Sequence, residues 1–302
     1  MALRGRVVRA QSGFFTVLTG EGEVTARLRG RLKRTRQSAD IAVIGDVVEI
    51  EPNDEGEGSI VSVEARRTKL SRRQPGPSGK WKEDVIVANA DEAIVVFACA
   101  HPSPELRMLD RFLVAAEHDG IEGVVVANKI DVCGEEEARR IFGVYERVGY
   151  PVHYVSAKRG IGVEALRERL AGKLSVVVGP SGAGKSTLLN AVKPGLQLRT
   201  GEVSGALDKG RHTTVVAELL PVDGDGWVAD TPGLRELGLW EIPPEDLPWC
   251  FPEFRDLIGT CRFDDCSHVH EPDCAIRAAV DRGEIDAGRY ESYVRLLAGD
   301  ER

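Results

Sequence analysis

Long apolar runs are missing from this 302-residue chain. No stretch approaches the roughly eighteen apolar residues that a membrane-crossing helix needs. The leading MALRGRVVRA carries no apolar block of the secretory-signal kind. A soluble, cytoplasmic protein without a membrane partner is the expectation. Aromatic residues make up only 6%, yet 42% of the residues are hydrophobic, enough for real cores in two or three domains. There is no internal repeat and no long low-complexity tract. Cysteine is sparse too. Of six, Cys99, Cys133 and Cys250 are scattered, while Cys261, Cys266 and Cys274 fall within fourteen residues. That spacing argues against a disulfide framework and for a reduced compartment with one metal site.

What is present is unevenly charged. The net charge is −8, but residues 1–82 hold 16 Lys+Arg against 10 Asp+Glu, leaving 24 against 38 for the remainder. A basic leading module on an acidic body points to a polyanionic partner met by the front of the chain. The stretch RGRLKRTR (29–36) fits that role, or is a solvated loop face.

Residues 3–70 read as short β-branched or alternating runs between Gly, Asp and Asn turns, about five strands in all. That is the size of a small barrel such as an OB-fold, a common scaffold for RNA. SRRQPGPSGKWK (71–82) reads as a flexible linker. From residue 84 strands and helices alternate, which argues for a parallel sheet covered on both faces. The expected organisation is a barrel over 1–70, a linker over 71–83, an α/β domain over 84–240 and a mostly helical metal-binding domain over 241–302.

Five motifs carry the chemistry. Gly179, Pro180, Ser181, Gly182, Ala183, Gly184, Lys185 and Ser186, followed by Thr187, satisfy G-x-x-x-x-G-K-S/T after an apolar strand and before a helix. Such a loop turns backbone N–H groups and a helix N-terminus toward phosphates. Lys185 would reach the β/γ-phosphates and Ser186 would hold Mg²⁺. The base is chosen elsewhere. In Asn128-Lys129-Ile130-Asp131, the Asp131 carboxylate can accept from guanine N1–H and the 2-amino group, a donor pair that adenine lacks. Lys129 would lay its stem over the base, and Asn128 would tie neighbouring loops together. In VSAKRG, the N–H groups of Ser156 and Ala157 are placed to meet the 6-oxo group. Asp230-Thr231-Pro232-Gly233 ends another strand. Asp230 would bind the Mg²⁺ shell through water and the Gly233 N–H would sense the γ-phosphate. Between the phosphate motifs, Thr213 or Thr214 would complete the Mg²⁺ shell.

These are the motifs of a GTPase in the order four, five, one, two, three. Such a circular permutation is physically allowed, because a domain's ends often lie close together. It sends the segment after Gly233 directly into the C-terminal domain. With DTPGLRELGLW (230–240), FPEFR (251–255) and the cysteine cluster, the chain resembles, over nearly its whole length, the circularly permuted, small-ribosomal-subunit-dependent GTPases that act in bacterial ribosome assembly. The resemblance implies an OB-fold, a G domain and a zinc-binding domain. It also implies binding to the immature small subunit and its rRNA, and release with GTP hydrolysis to GDP. A monomer is the default.

Cys261, Cys266 and Cys274 with a histidine suit a closed, structural Zn²⁺ site. Spacing alone leaves both His268 and His270 as the fourth ligand, and the family pattern favours His268. A water-orienting glutamine after Gly233 is also absent, since Leu234 stands there. Slow intrinsic hydrolysis follows. The resemblance lands a substitute catalytic histidine on His212, with Arg211 beside it. His101, His118 and His153 carry no motif and read as surface or packing residues.

Overall fold

Period-two alternation makes the front of the chain a barrel. The structure is a computed structural model that describes residues 2–30, 42–53, 57–75, 81–196, 198, 217–230 and 242–299. Strands β1 (Leu3–Gln11), β2 (Phe14–Thr19) and β3 (Gly22–Leu28) form an antiparallel meander. β5 (Gly58–Val63) runs parallel to β3, and β4 (Val47–Pro52) pairs with both β5 and β1, closing the barrel. Val7, Phe15, Val17, Ala26, Val48, Ile50 and Ile60 point inward and are buried. This is the expected OB-type barrel.

The expected linker is instead part of a two-stranded ribbon, β6 (Lys69–Pro75) with β7 (Trp81–Ala88). Its Pro, Gly and Ser content is concentrated at 75–79. Leu70, Val85 and Val87 of the ribbon are buried. A bridge from Ile44 to Val87 fastens the ribbon to the barrel.

Six further strands follow: β8 (Glu92–Ala98), β9 (Glu122–Asn128), β10 (Val152–Val155), β11 (Leu174–Val178), β12 (Ala217–Val222) and β13 (Gly226–Asp230). Their spatial order is β10-β9-β8-β11-β13-β12, parallel except for β12. β8 and β11 are buried along their full length, as strands covered on both faces must be. On one face lie α1 (Leu106–His118) and α3 (Glu135–Val148), packing Leu109, Phe112 and Phe142 on Val95, Phe97 and Val125. The one-turn α2 (Ile130–Cys133) precedes α3. On the other face α4 (Val163–Leu170) and α5 (Lys185–Val192) pack Leu166, Leu188 and Val192 on Ile94, Val96 and Val124. β12 does not end the sheet. Arg9 and Ala10 of β1 pair with Glu218 and Ala217, giving one eleven-stranded sheet through barrel and G domain. The barrel thereby covers an edge that would otherwise expose unpaired backbone groups.

The C-terminal part has its own core of Phe251, Phe254, Ile276 and Tyr293, and Val114 of α1 packs into it. The tail, one helical stretch in sequence, divides into α6 (Ala275–Asp281) and α7 (Ala287–Leu297). Gly283 at φ +74° breaks it, and Asp286 restarts it by accepting from the N–H groups of Gly288 and Arg289.

Arg289 joins this part to the G domain. It is 1% exposed and donates to Asp110 of α1 at 2.7 Å and to both Glu253 oxygens at 2.8 and 3.1 Å. Tyr145 and Ser292 hydroxyls also donate to Asp110. Arg289→Met would leave two buried carboxylates without their cation, at a cost of about 3–5 kcal/mol. Thermal denaturation should show a midpoint about 10 °C lower.

Candidate nucleotide site and metal centre

The C-terminal ends of β8, β9, β10, β11 and β13 meet at one edge because all five run the same way. Open α/β sheets bind ligands at that edge. Gly179 leaves β11 at φ +136°, where a Cβ would lie 2.1 Å from the Val96 carbonyl oxygen. Gly184 caps α5 at φ +91°, where a Cβ would lie 2.5 Å from Asn128 Nδ2. The Val96 backbone and the Asn128 side chain leave no room for a Cβ at these two places, and the loop opens the helix N-terminus toward an anion. Lys185 Nζ folds over the loop, donating to the carbonyls of Gly179 at 2.6 Å and Pro180 at 2.8 Å. Ser181 and Thr187 are exposed and Ser186 half-buried. Gly184→Ala combines backbone strain with a lost loop-to-loop contact, about 1–3 kcal/mol. Titration with a fluorescent GDP should show binding about ten- to a hundredfold weaker.

Asn128 joins three loops. It is buried at the end of β9. Its Nδ2 donates to the Ala183 carbonyl at 2.9 Å, and its Oδ1 accepts from Lys129 N–H at 2.8 Å and Ala157 N–H at 3.2 Å. Lys129 adopts a left-handed conformation (φ 66°), and its ammonium donates to the His101 carbonyl. Burial lowers its pKa. Asp131 stands exposed at the mouth, one oxygen taking the Ser156 hydroxyl at 2.6 Å. The Ser156 N–H is engaged with the Ile161 carbonyl at 2.9 Å. The expectation for its N–H is thus corrected: Ser156 acts through its hydroxyl, orienting Asp131. The Ala157 N–H is engaged as well, with Asn128 Oδ1 at 3.2 Å.

Cys261, Cys266, His268 and Cys274 bring ligand atoms within 4.8 Å of one another. The Cys261 and Cys274 sulfurs are 3.9 Å apart, and His268 Nδ1 lies 3.5 Å from each. A zinc tetrahedron with Zn–S of about 2.3 Å and Zn–N of about 2.0 Å has edges of about 3.8 and 3.5 Å, so these donors fit. His268 is 4% exposed, while the His270 side chain is 82% exposed and outside the group. Glu271 fixes the intervening loop. Its carboxylate accepts from the Ser267 hydroxyl and from the N–H groups of Ser267, Val269 and His270. The Ser267 hydroxyl above all holds it well below the usual carboxylate range. Tyr290 and Tyr293 donate to the carbonyls of His268 and Ser267 at 2.8 and 2.7 Å.

Arg211, His212, Thr213, Thr214, Gly233, Leu234 and residues 31–36 of the basic stretch lie outside the described residues. The backbone of Asp230 ends β13, next to the Ala229–Val176 pair that leads into the phosphate loop.

The profile of the RsgA N-terminal domain matches residues 4–60, and that of the RsgA GTPase matches residues 63–240. The chain belongs to the RsgA GTPase family. The small ribosomal subunit biogenesis GTPase RsgA of Gemmatimonas aurantiaca is 48% identical over 97% of this chain and 95% of its own. The relative of that name from Thermotoga maritima is 42% identical over 97% and 95%. Among solved structures, YjeQ from Thermotoga maritima superposes with a TM-score of 0.80 at 38% identity over the whole of both chains. YloQ, described as a circularly permuted GTPase, superposes at 0.77 and 29% identity, over 100% of this chain and 96% of its own. The permutation is visible in this RsgA-family fold as well, since β9 and β10 precede β11 and its phosphate loop in sequence.

One part of the site gave no signal in sequence. The loop after β8 brings the His101 carbonyl to Lys129 and Pro102 against the phosphate loop, where its Cδ lies 3.3 Å from the place a Gly182 Cβ would take. His101 contributes through its backbone, which a search for motif histidines does not register. No described helix is long and apolar enough to cross a membrane.

Proposed function

We propose that the chain is a GTPase that binds the small ribosomal subunit, assists its late maturation in the cytoplasm, and hydrolyses GTP to GDP and phosphate under stimulation by the subunit. The observation that carries this is Asn128. One buried amide holds the guanine-reading loop, the phosphate loop and the Ser156–Ala157 loop together, which is what discrimination for GTP over ATP requires. The relatives' names supply the partner.

In this reading Asp131, oriented by the Ser156 hydroxyl, holds the base beside the Ser156–Ala157 loop, with Lys129 along its face, and the backbone from Gly179 to Ser186 surrounds the phosphates. Lys185 would exchange its two carbonyl partners for β/γ-phosphate oxygens. Ser186, Thr213 or Thr214, and Asp230 through water would hold Mg²⁺, which neutralises charge on the phosphates when bound. Gly233 senses the γ-phosphate and His212 orients the attacking water. Cys261, Cys266, His268 and Cys274 hold one structural Zn²⁺. The barrel and the zinc-bearing part grip rRNA as a monomer.

The test is GTP hydrolysis by zinc-replete protein with and without isolated small subunits, with ATP as control. Slow turnover is expected alone, and a stimulation specific to GTP with the subunit, which in related systems reaches about 10⁵-fold. Guanine-nucleotide binding without stimulation would overturn the reading in favour of an RNA-binding protein that uses the nucleotide as a ligand.

A further inference from the structure

The loop that follows β8 contains none of the five motifs, yet it touches two of them. Its first residue is tied to the guanine-reading loop, since the Cys99 N–H donates to the Asn128 carbonyl at 2.8 Å. At His101 the backbone is left-handed (φ 50°), and the His101 carbonyl accepts from the Lys129 ammonium. Pro102 then lies against the phosphate loop, its Cδ 3.3 Å from the place a Gly182 Cβ would take. Lys129 is thereby held at both ends. Its N–H donates to Asn128 Oδ1 at 2.8 Å. Its stem passes the phosphate loop, with Cε 3.9 Å from the place a Gly184 Cβ would take, and its ammonium ends on His101. Burial lowers the pKa of this lysine, as expected of a cation partly withdrawn from water, and such a cation needs the acceptor that His101 supplies.

We propose that His101 is a positioning residue for guanine-nucleotide binding, whose backbone carbonyl fixes the Lys129 ammonium so that the lysine stem lies along the base plane before the nucleotide arrives. The proposal rests on the guanine-site reading above. A free lysine side chain loses rotamer freedom when it is laid on a base, and that loss weakens binding. Anchored at the ammonium, Lys129 gives up the same freedom during folding, and the affinity for the base rises accordingly. Pro102 seats the anchor on the phosphate loop. The lysine that meets the base and the loop that surrounds the phosphates then share one support, which keeps base and phosphate contacts in register.

The test measures GDP binding by the full, zinc-replete chain in a cycle of two changes. His101→Gly with Pro102→Gly loosens the anchor, while Lys129→Met removes the ammonium and keeps an unbranched stem. Each is expected to weaken GDP binding about tenfold, the effect of having to order one long side chain. Combined, they should still weaken it about tenfold and not a hundredfold, because the loop acts through the lysine. His101 and Pro102 are exposed, so the thermal midpoint should stay at the parent's. A lower midpoint would pass the cycle to Pro102→Ala, read in the same way. Additive losses would overturn the proposal, as would unchanged GDP affinity after either change. A parent chain that binds no guanine nucleotide overturns the guanine-site reading and this proposal with it. A parent that binds GDP, with losses that add, overturns this proposal alone.

Discussion

Asp131→Asn is expected to weaken binding of GTP and GDP by about 10²–10⁴-fold without creating a site for ATP. A carboxylate facing N1–H and the 2-amino group makes two charge-assisted hydrogen bonds, each worth about 1.5–3 kcal/mol. Asparagine keeps one acceptor and turns an NH₂ toward the 2-amino group, donor against donor. The rest of the site is unaffected by the change. Asn128 still ties Ala183 to Ala157, and the Ser156 hydroxyl still has an oxygen to donate to. Xanthine presents an oxo group where guanine has the amino group and retains N1–H. The variant should therefore bind xanthosine triphosphate better than GTP, inverting the parent's preference. Competition of unlabelled nucleotides against a fluorescent one measures both. Unchanged GTP affinity in the variant would mean that the base is read elsewhere.

The legible parts of this site were those in which one residue type performs one task at a fixed spacing. Gly179 and Gly184 are glycines because Val96 and Asn128 occupy the space a side chain would need, and the loop motif encodes that exclusion directly. The parallel sheet was legible from strands alternating with helices after residue 84. The barrel was legible from its alternation. What stayed hidden depends on pairs that are distant in sequence. Nothing local in Arg9 or Ala10 announces pairing with Glu218 and Ala217, so the sheet joining barrel and G domain was invisible. The ribbon was hidden by composition, because Pro and Gly around its middle outweighed the short β-branched run Val85-Ile86-Val87 on one flank. The Ser156 hydroxyl went unnoticed because a motif names a residue and not the atom it uses. Nothing local in sequence singles out Arg289. Its burial follows from Asp110 and Glu253, which no window of sequence brings together.

Removing the zinc proposed for the cysteine cluster is the other change with a large expected effect, and it should divide the molecule. The C-terminal part depends on helices of seven and eleven residues, too short to persist alone in water. Its apolar core is small. A structural zinc supplies about 10–16 kcal/mol, as much as the whole stability of a small domain. Stripping it with a chelator under reducing conditions, or making Cys274→Ala, should abolish hydrogen-exchange protection through residues 261–299. Readdition of zinc should restore the stripped protein at one ion per chain. The sheet should stay protected, because β8 to β11 are buried against α1, α3, α4 and α5 and not against the metal loop. α1 is the exception, since Asp110 and Val114 lose their partners, and partial loss of protection is expected there. Stripped protein should therefore still bind GDP and fail to respond to the small subunit. Full protection of α6 and α7 after stripping would mean that the Arg289 cluster and the aromatic core hold this part together without the metal.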